Sequence, residues 1–208
     1  MNNRREDAVT GADLVIAFIV VLGVLFVIHI LLGSPFTADH DEGAIPQNIE
    51  ASADALITDG DVYGFADTGG PYEGVTVAEG LTNPDTMGAV SLSLRLMEGE
   101  MGGVDMESAD VRISWNEHIE GLRYSGNMPL QRPNWTVASR THVQAGEQAD
   151  NDFIIEPGEI FTILVYPSAG LTPETAFSIQ VQAGKGEPFT ITRKVPGTIK
   201  PVMDLNTL

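Results

Sequence analysis

Leu14 to Leu32 form an unbroken apolar run, LVIAFIVVLGVLFVIHILL, whose only ionisable member is His29. As a helix, 19 residues rising 1.5 Å each would span roughly 28 Å, close to the ~30 Å hydrocarbon thickness of a bilayer. Gly33, Ser34 and Pro35 follow at once and supply a stop. Sixteen Leu, Ile, Val and Phe residues make up most of the run: Leu14, Val15, Ile16, Phe18, Ile19, Val20, Val21, Leu22, Val24, Leu25, Phe26, Val27, Ile28, Ile30, Leu31 and Leu32. They leave no polar stripe, so such a helix has to be enclosed by lipid or by other protein.

Four fates are open to this segment. An ordinary secretory signal has a shorter apolar region and a small-residue cleavage site behind it, which LLGSPFTADH does not offer. A permanent anchor fits the length, with Arg4 and Arg5 holding the N-terminus in the cytoplasm. A buried helix of a soluble domain fits poorly at this length without charges. In the fourth, the charged leader is removed, the apolar helix is kept, and copies of it pack together in the core of a fibre.

The flanks favour the fourth. The charged residues MNNRRED stand before the run, followed by the small-residue segment AVTGAD. This start, MNNRRED-AVTGADLVIAFIVVLGVLFVIHILLGSPF, resembles that of the archaellins, the subunits of the archaeal swimming filament, and more broadly the type IV pilin-like prepilins. The resemblance implies removal of a basic leader by a prepilin-type peptidase, between Asp7 and Ala8. Most relatives cut after glycine, and Asp7 departs from that pattern. Cleavage after Gly11 would leave too little before the apolar run. The resemblance also implies a role for Asp13, whose carboxylate would pair with a neighbouring subunit's α-amino group. Read without it, Asp13 is a solvated carboxylate near a helix N-terminus, favoured there by ~0.3–1 kcal/mol.

Beyond Pro35 an acidic stretch, FTADHDEGAIPQNIEASADA, reads as a neck, because Gly33, Pro35, Gly43 and Pro46 oppose one continuous helix. From Leu56 the texture changes to short apolar runs punctuated by Gly, Pro, Asn and Asp. VSLSLRL from Val90 and VRISW from Val111 alternate cleanly. WTVAS, DFIIEPGEIFTILVYP, AFSIQVQAG and PFTITRKVP follow in the same style. Period-2 alternation with regular turn signals predicts an antiparallel sandwich or barrel. Pro157-Gly158 and Gly184-Lys185-Gly186 read as turns. The fold class expected is therefore α+β, a long N-terminal hydrophobic helix followed by an all-β, Ig-like head. The segments are 1–7 leader, 8–34 core or transmembrane helix, 35–55 neck and 56–208 β-domain. The C-terminal third, EPGEIFTILVYPSAGLTPETAFSIQVQAGKGEPFTITRKVPGTIKPVMDL, again resembles archaellins in layout, ending in Arg193-x-x-Pro196 and Val202–Leu205.

Charge narrows the function. With 29 acidic residues against 11 basic, the net charge is −18. From Glu6 to Leu94 there are 14 acidic residues and no Lys or Arg. That composition excludes a nucleic-acid partner, which would need clustered basic residues. Cysteine is absent, which excludes thiol catalysis, thiolate metal sites and disulfides. No G-x-S-x-G, H-E-x-x-H or phosphate-cradling loop occurs, so neither an enzyme nor a cofactor is expected. The four histidines, His29, His40, His118 and His142, do not stand at metal-ligand spacing. Asp39-His40-Asp41-Glu42 and Asp150-Asn151-Asp152 offer oxygen ligands, but neither follows the EF-hand order, and solvated acidic loops explain both. Asn134-Trp135-Thr136 is a sequon, which makes Asn134 a candidate glycosylation site if it faces outward.

The expectation is an archaellin-like structural subunit. It would be inserted in the cytoplasmic membrane as a precursor and then polymerised outside the cell into a helical filament, as a homo-oligomer or with other archaellin subunits. An adhesive pilin, a membrane-anchored stator-like accessory protein and a secreted binding domain are the alternatives.

Overall fold

The computed structural model describes residues 55–78, 80, 82–142, 149–150, 152–184 and 187–206. The chain divides into two units, Met1–Pro46 and Gln47–Leu208, and all described residues belong to the second. Every regular element among them is a β-strand. These are β1 (Leu56–Thr58), β2 (Tyr63–Ala66), β3 (Met87–Leu96), β4 (Val104–Asp105), β5 (Asp110–Trp115), β6 (His118–Tyr124), β7 (Asn134–His142), β8 (Ile154–Ile155), β9 (Glu159–Tyr166), β10 (Ala176–Gln182), β11 (Phe189–Lys194) and β12 (Val202–Asp204).

Ten of them form one sheet in the order β11-β10-β5-β6-β7-β9-β3-β2-β12, with β1 also paired to β3; β4 and β8 make a separate two-stranded ribbon. The long strand β3 serves two partners on one side. Tyr63 to Ala66 of β2 lie along its first half, and Leu56 to Thr58 of β1 along its last residues. Its other side pairs with β9, from Val90↔Val165 to Leu94↔Phe161. All of these ladders are antiparallel. The exception joins β6 to β7, which run parallel for two residue pairs only, Arg123↔Asn134 and Tyr124↔Trp135. This short seam divides the sheet into a four-strand half (β11, β10, β5, β6) and a six-strand half.

Alternation explains how the halves close on each other. Val90, Leu92, Leu94 and Leu96 of β3 point to one side, as do Phe161, Ile163 and Val165 of β9 and Trp135 of β7. Val111 and Ile113 of β5, Phe177, Ile179 and Val181 of β10, and Ile191 of β11 meet them from the four-strand half. The shared core contains the fully buried Trp135, Phe161 and Phe177, with Trp115 and Phe189 packed against it. Each such aliphatic or aromatic side chain gains about 1.5–3 kcal/mol on full burial. Sealing the turn into β9, Pro157 and Gly158 occupy the centre of a turn in which the Glu159 amide donates to the Glu156 carbonyl at 3.0 Å. Gly158 has φ +93°, which a side chain would strain.

The expected fold class is corrected. Among the described residues there is no helix, and none long and apolar enough to cross a membrane. The fold seen is all-β rather than α+β. It is also not a pair of separate Ig-like sheets, because the parallel β6–β7 seam makes one curled sheet of the two halves. The physical reason is that the residues from Leu56 onward carry period-2 patterning and no 3.6-residue period. The expectation of a helix rested on Leu14–Leu32, which lies outside the described residues, as do the 1–7 leader and most of the 35–55 neck.

Candidate functional site

The two halves of the sheet differ in what lies on their outer faces. Over β2, β3 and β9 the outer face of the six-strand half is covered by a second apolar cluster of Phe65, Tyr72, Val75, Val77, Ala89, Leu130, Leu164 and Tyr166. Backbone bonds hold this cover in place: Leu130 N–H donates to Thr76 O at 2.8 Å, and Ala78 N–H to Leu130 O at 2.9 Å. Tyr72 anchors it further by donating its hydroxyl to the Ala66 carbonyl at 2.9 Å and accepting from the Thr68 and Gly69 amides.

Beside Tyr166 of this cluster sits a part-buried ion pair. The Arg132 Nη2 lies 2.6 Å from Asp67 Oδ1, and its guanidinium carbon stands 4.2 Å from the Tyr166 ring centroid. Asp67 is only 2% exposed. Glycine 88 leaves it room: a Cβ there would stand 2.8 Å from the Cα, Cβ and Oδ1 of Asp67.

Among the described residues, nothing comparable covers the four-strand half. The register sets Thr192, Ser178, Ser114 and Ile119 side by side across β11, β10, β5 and β6, and Thr190, Gln180, Arg112 and Gly121 in the next row. Ile119 is 72% exposed. The outward positions of the four strands carry Arg112, Arg123 and Lys194 against Asp110, whereas Arg193 and Glu120 stand in register with the core residues Phe177 and Ile113. Arg112 pairs with Asp110, its Nε 2.9 Å from Oδ2, and Lys194 with Glu174.

At the far end of the sheet order, β12 and β2 present the opposite field. The Asn206 side-chain amide donates to both Asp61 Oδ1 (2.8 Å) and Asp204 Oδ1 (2.9 Å). Asp61, Asp204 and Glu73 are all exposed. Asp61 first, then burial, then Asp204 and Glu73, raise the Tyr63 phenol above its ordinary pKa. Val202, beside Phe65 in register, is 54% exposed next to these carboxylates.

A third feature is the acidic turn before β9. The Glu159 carboxylate is buried and accepts from the Asp150 and Glu156 amides at 3.0 and 3.2 Å. The Asp150 and Asp152 side chains accept from the amides of Asp152 and Ile154. These carboxylates are thus engaged with backbone. No group of three or more His, Asp or Glu among the described residues is arranged to hold a metal ion.

Of the residues singled out from the sequence, Asp7, Ala8, Asp13 and the apolar run Leu14–Leu32 lie outside the described residues. So do His29, His40 and Asp39-Asp41-Glu42. Asn134 is the first residue of β7, half-buried, with its backbone beside Tyr166 on one side and Arg123 on the other. Ile119, Arg123 and Val202 carried no motif. Ile119 and Arg123 lie on β6 at the seam in the middle of the sheet, and Val202 on β12 at its end.

No family model matches the chain, and no curated protein matches it in sequence. The crystal structure of archaeal flagellin FlaB1 from Methanocaldococcus jannaschii superposes with a TM-score of 0.52 at 16% identity, covering 74% of this chain and 97% of that one. The fold is that of an archaeal flagellin. The archaeal flagellum of Methanospirillum hungatei strain JF1 matches with a TM-score of 0.47 and 16% identity over 93% of this chain and 96% of that one. The archaellum periplasmic stator complex of FlaF and FlaG from Sulfolobus acidocaldarius matches with a TM-score of 0.39 and 20% identity, over 51% of this chain and 78% of that one. In this archaellin fold, the described residues cover much of the outer face of the six-strand half.

Proposed function

We propose that the chain is an archaellin, a structural subunit of an archaellum filament at the cell surface. The observation that carries this reading is the archaellin fold of the β-domain behind a 19-residue apolar segment. A prepilin-type peptidase removes residues 1–7 from a membrane-inserted precursor. The apolar segment Leu14–Leu32 then transfers from lipid to contacts with the same segment of neighbouring subunits, with Asp13 pairing an adjacent α-amino group. The acidic β-domain forms the outer shell. Its surface charge keeps the fibre soluble, and external salt screens the repulsion between copies. The subunit transmits force and catalyses nothing, and it uses no cofactor.

Mass spectrometry of filaments sheared from native cells tests this. The expected N-terminal peptide begins at Ala8 and retains Leu14–Leu32. Recovery of the protein only from membranes, with residues 1–7 intact, would overturn the filament reading in favour of an anchored accessory component of the same apparatus.

A further inference from the structure

We propose that Asp59–Gly60 is a site of covalent modification in this domain, where the aspartyl side chain cyclises onto the glycyl amide and reopens as isoaspartate, and that Arg95 restrains the step. The reaction needs a carboxyl group one carbon from the backbone and, next along the chain, an amide nitrogen that no Cβ shields. Glycine supplies that nitrogen and a backbone free to turn beside it. Asp59–Gly60 is the one Asp-Gly pair in the sequence, and there is no Asn-Gly pair. It lies on the link from β1 to β2. The Asp59 amide is tied to the Ser93 carbonyl at 2.9 Å, and the chain is next fastened at Val62, whose carbonyl accepts from the Leu205 amide. Between these points Gly60 and Asp61 are exposed. Gly60 has φ +74°, and nothing lies within 4 Å of the place a Cβ would take there. Its amide donates no hydrogen bond among the described residues.

One bond holds the electrophile. Arg95 Nε donates to Asp59 Oδ1 at 3.0 Å, and Arg95 Nη1 donates to the Leu96 carbonyl at 3.3 Å. The Asp59 side chain is 37% exposed, and a cavity of about 320 Å³ lined by Asp59, Arg95, Glu98, Glu100 and Gly158 leaves it open to water. Cyclisation requires the carboxyl group to turn from Arg95 onto its own chain. Gly60 N then bonds to Asp59 Cγ, and one carboxyl oxygen leaves as water with the amide proton and a proton from solvent. Water reopens the ring. Attack at the side-chain carbonyl restores aspartate, and attack at the main-chain carbonyl gives isoaspartate, with no net change in composition. The product carries one more carbon in the link that aligns β1 and β2 along the same side of β3.

The test ages the full chain, purified in detergent, for weeks at physiological temperature and neutral pH. After digestion, electron-transfer fragmentation resolves the peptide spanning Asp59 into its aspartyl and isoaspartyl forms. Wild type is expected to accumulate isoaspartate at position 59, and Arg95→Gln to do so at least several-fold faster. Arg95→Lys, which keeps a cation facing Asp59, should return most of the way to the wild-type rate. Arg132→Ala, which removes a different ion pair, should leave that rate unchanged. Absence of isoaspartate at position 59 from both wild type and Arg95→Gln overturns the site. Equal rates in those two proteins, or no recovery in Arg95→Lys, overturns the restraint. Equal acceleration by Arg132→Ala overturns it as well, because loosening of the fold would then be the cause.

Discussion

Arg132 reaches across 65 positions of sequence to hold Asp67, with its Nη2 2.6 Å from the carboxylate and its guanidinium stacked on Tyr166. The pair fastens two irregular segments to the outer face of β2, β3 and β9. Arg132 also reaches the Ser168 carbonyl at 3.5 Å, at the end of β9. It therefore ties three parts of the chain to one point.

Removing Arg132 leaves the buried Asp67 carboxylate without its cation. Arg132→Ala is expected to destabilise the protein by about 1–3 kcal/mol, the usual cost of leaving a buried polar group unsatisfied. Arg132→Lys should recover only part of it, because an ammonium cannot stack on Tyr166 while bonding Asp67 as a planar fork does. Chemical denaturation of the three proteins decides this, and equal midpoints for wild type and Arg132→Ala would disprove the clamp.

Gly88 supplies the room that Asp67 needs. A methyl group at this position would stand 2.8 Å from the backbone and side chain of Asp67, and β3, in the middle of the sheet, has little freedom to move away. Gly88→Ala should cost about 1–3 kcal/mol through overpacking. It should cost much less when Arg132 is already alanine, since the two changes act on the same carboxylate. A thermal-melt double-mutant cycle measures the coupling, and strict additivity would refute it.

Glu156 gives a pH-dependent prediction. Burial first, then the carboxylates of Glu159, Asp150 and Asp152, push its carboxyl above the ordinary range. A carboxyl raised on folding favours the folded state while protonated, and that contribution is lost as pH rises through the raised value. Glu156→Gln should therefore melt higher than wild type at neutral pH. The gap should close as the pH falls and Glu156 takes up its proton. Melting curves from neutral pH down into the carboxylate range would show this, and a gap that widened toward acid would contradict it.

Sequence made some strands plain and concealed others for reasons visible in the packing. β3, β5, β10 and β11 alternate in the chain because one side of each meets the common core and the other meets polar groups or solvent. β2 reads YGFA and shows no alternation, since Phe65 belongs to the second apolar cluster while Gly64 and Ala66 are buried as well. β6, HIEGLRY, is hidden for the opposite reason: Ile119 points outward and Gly121 offers no side chain to pattern. The ion pair Asp67–Arg132 had no local signal at all, because only the fold brings the two residues together. The expectation of a leading helix came from the strength of the Leu14–Leu32 run and was extended to the class of the whole chain, whereas the described domain is entirely β.

The pairing of β12 with β2 sets the order of events during biosynthesis. Tyr63 aligns with Asp204, and the Leu205 amide donates to the Val62 carbonyl at 2.8 Å. A ribosome or translocon that has delivered β2 must deliver about 140 more residues before that strand gains its second neighbour, and such sequence-distant pairing is slow to form. Until then β2 has no strand on that side, and the Val62 carbonyl lacks its backbone partner. The domain is thus latched from its tail, so that a chain interrupted before Val202 would emerge with an open sheet margin and a form suited to quality-control proteases rather than to assembly.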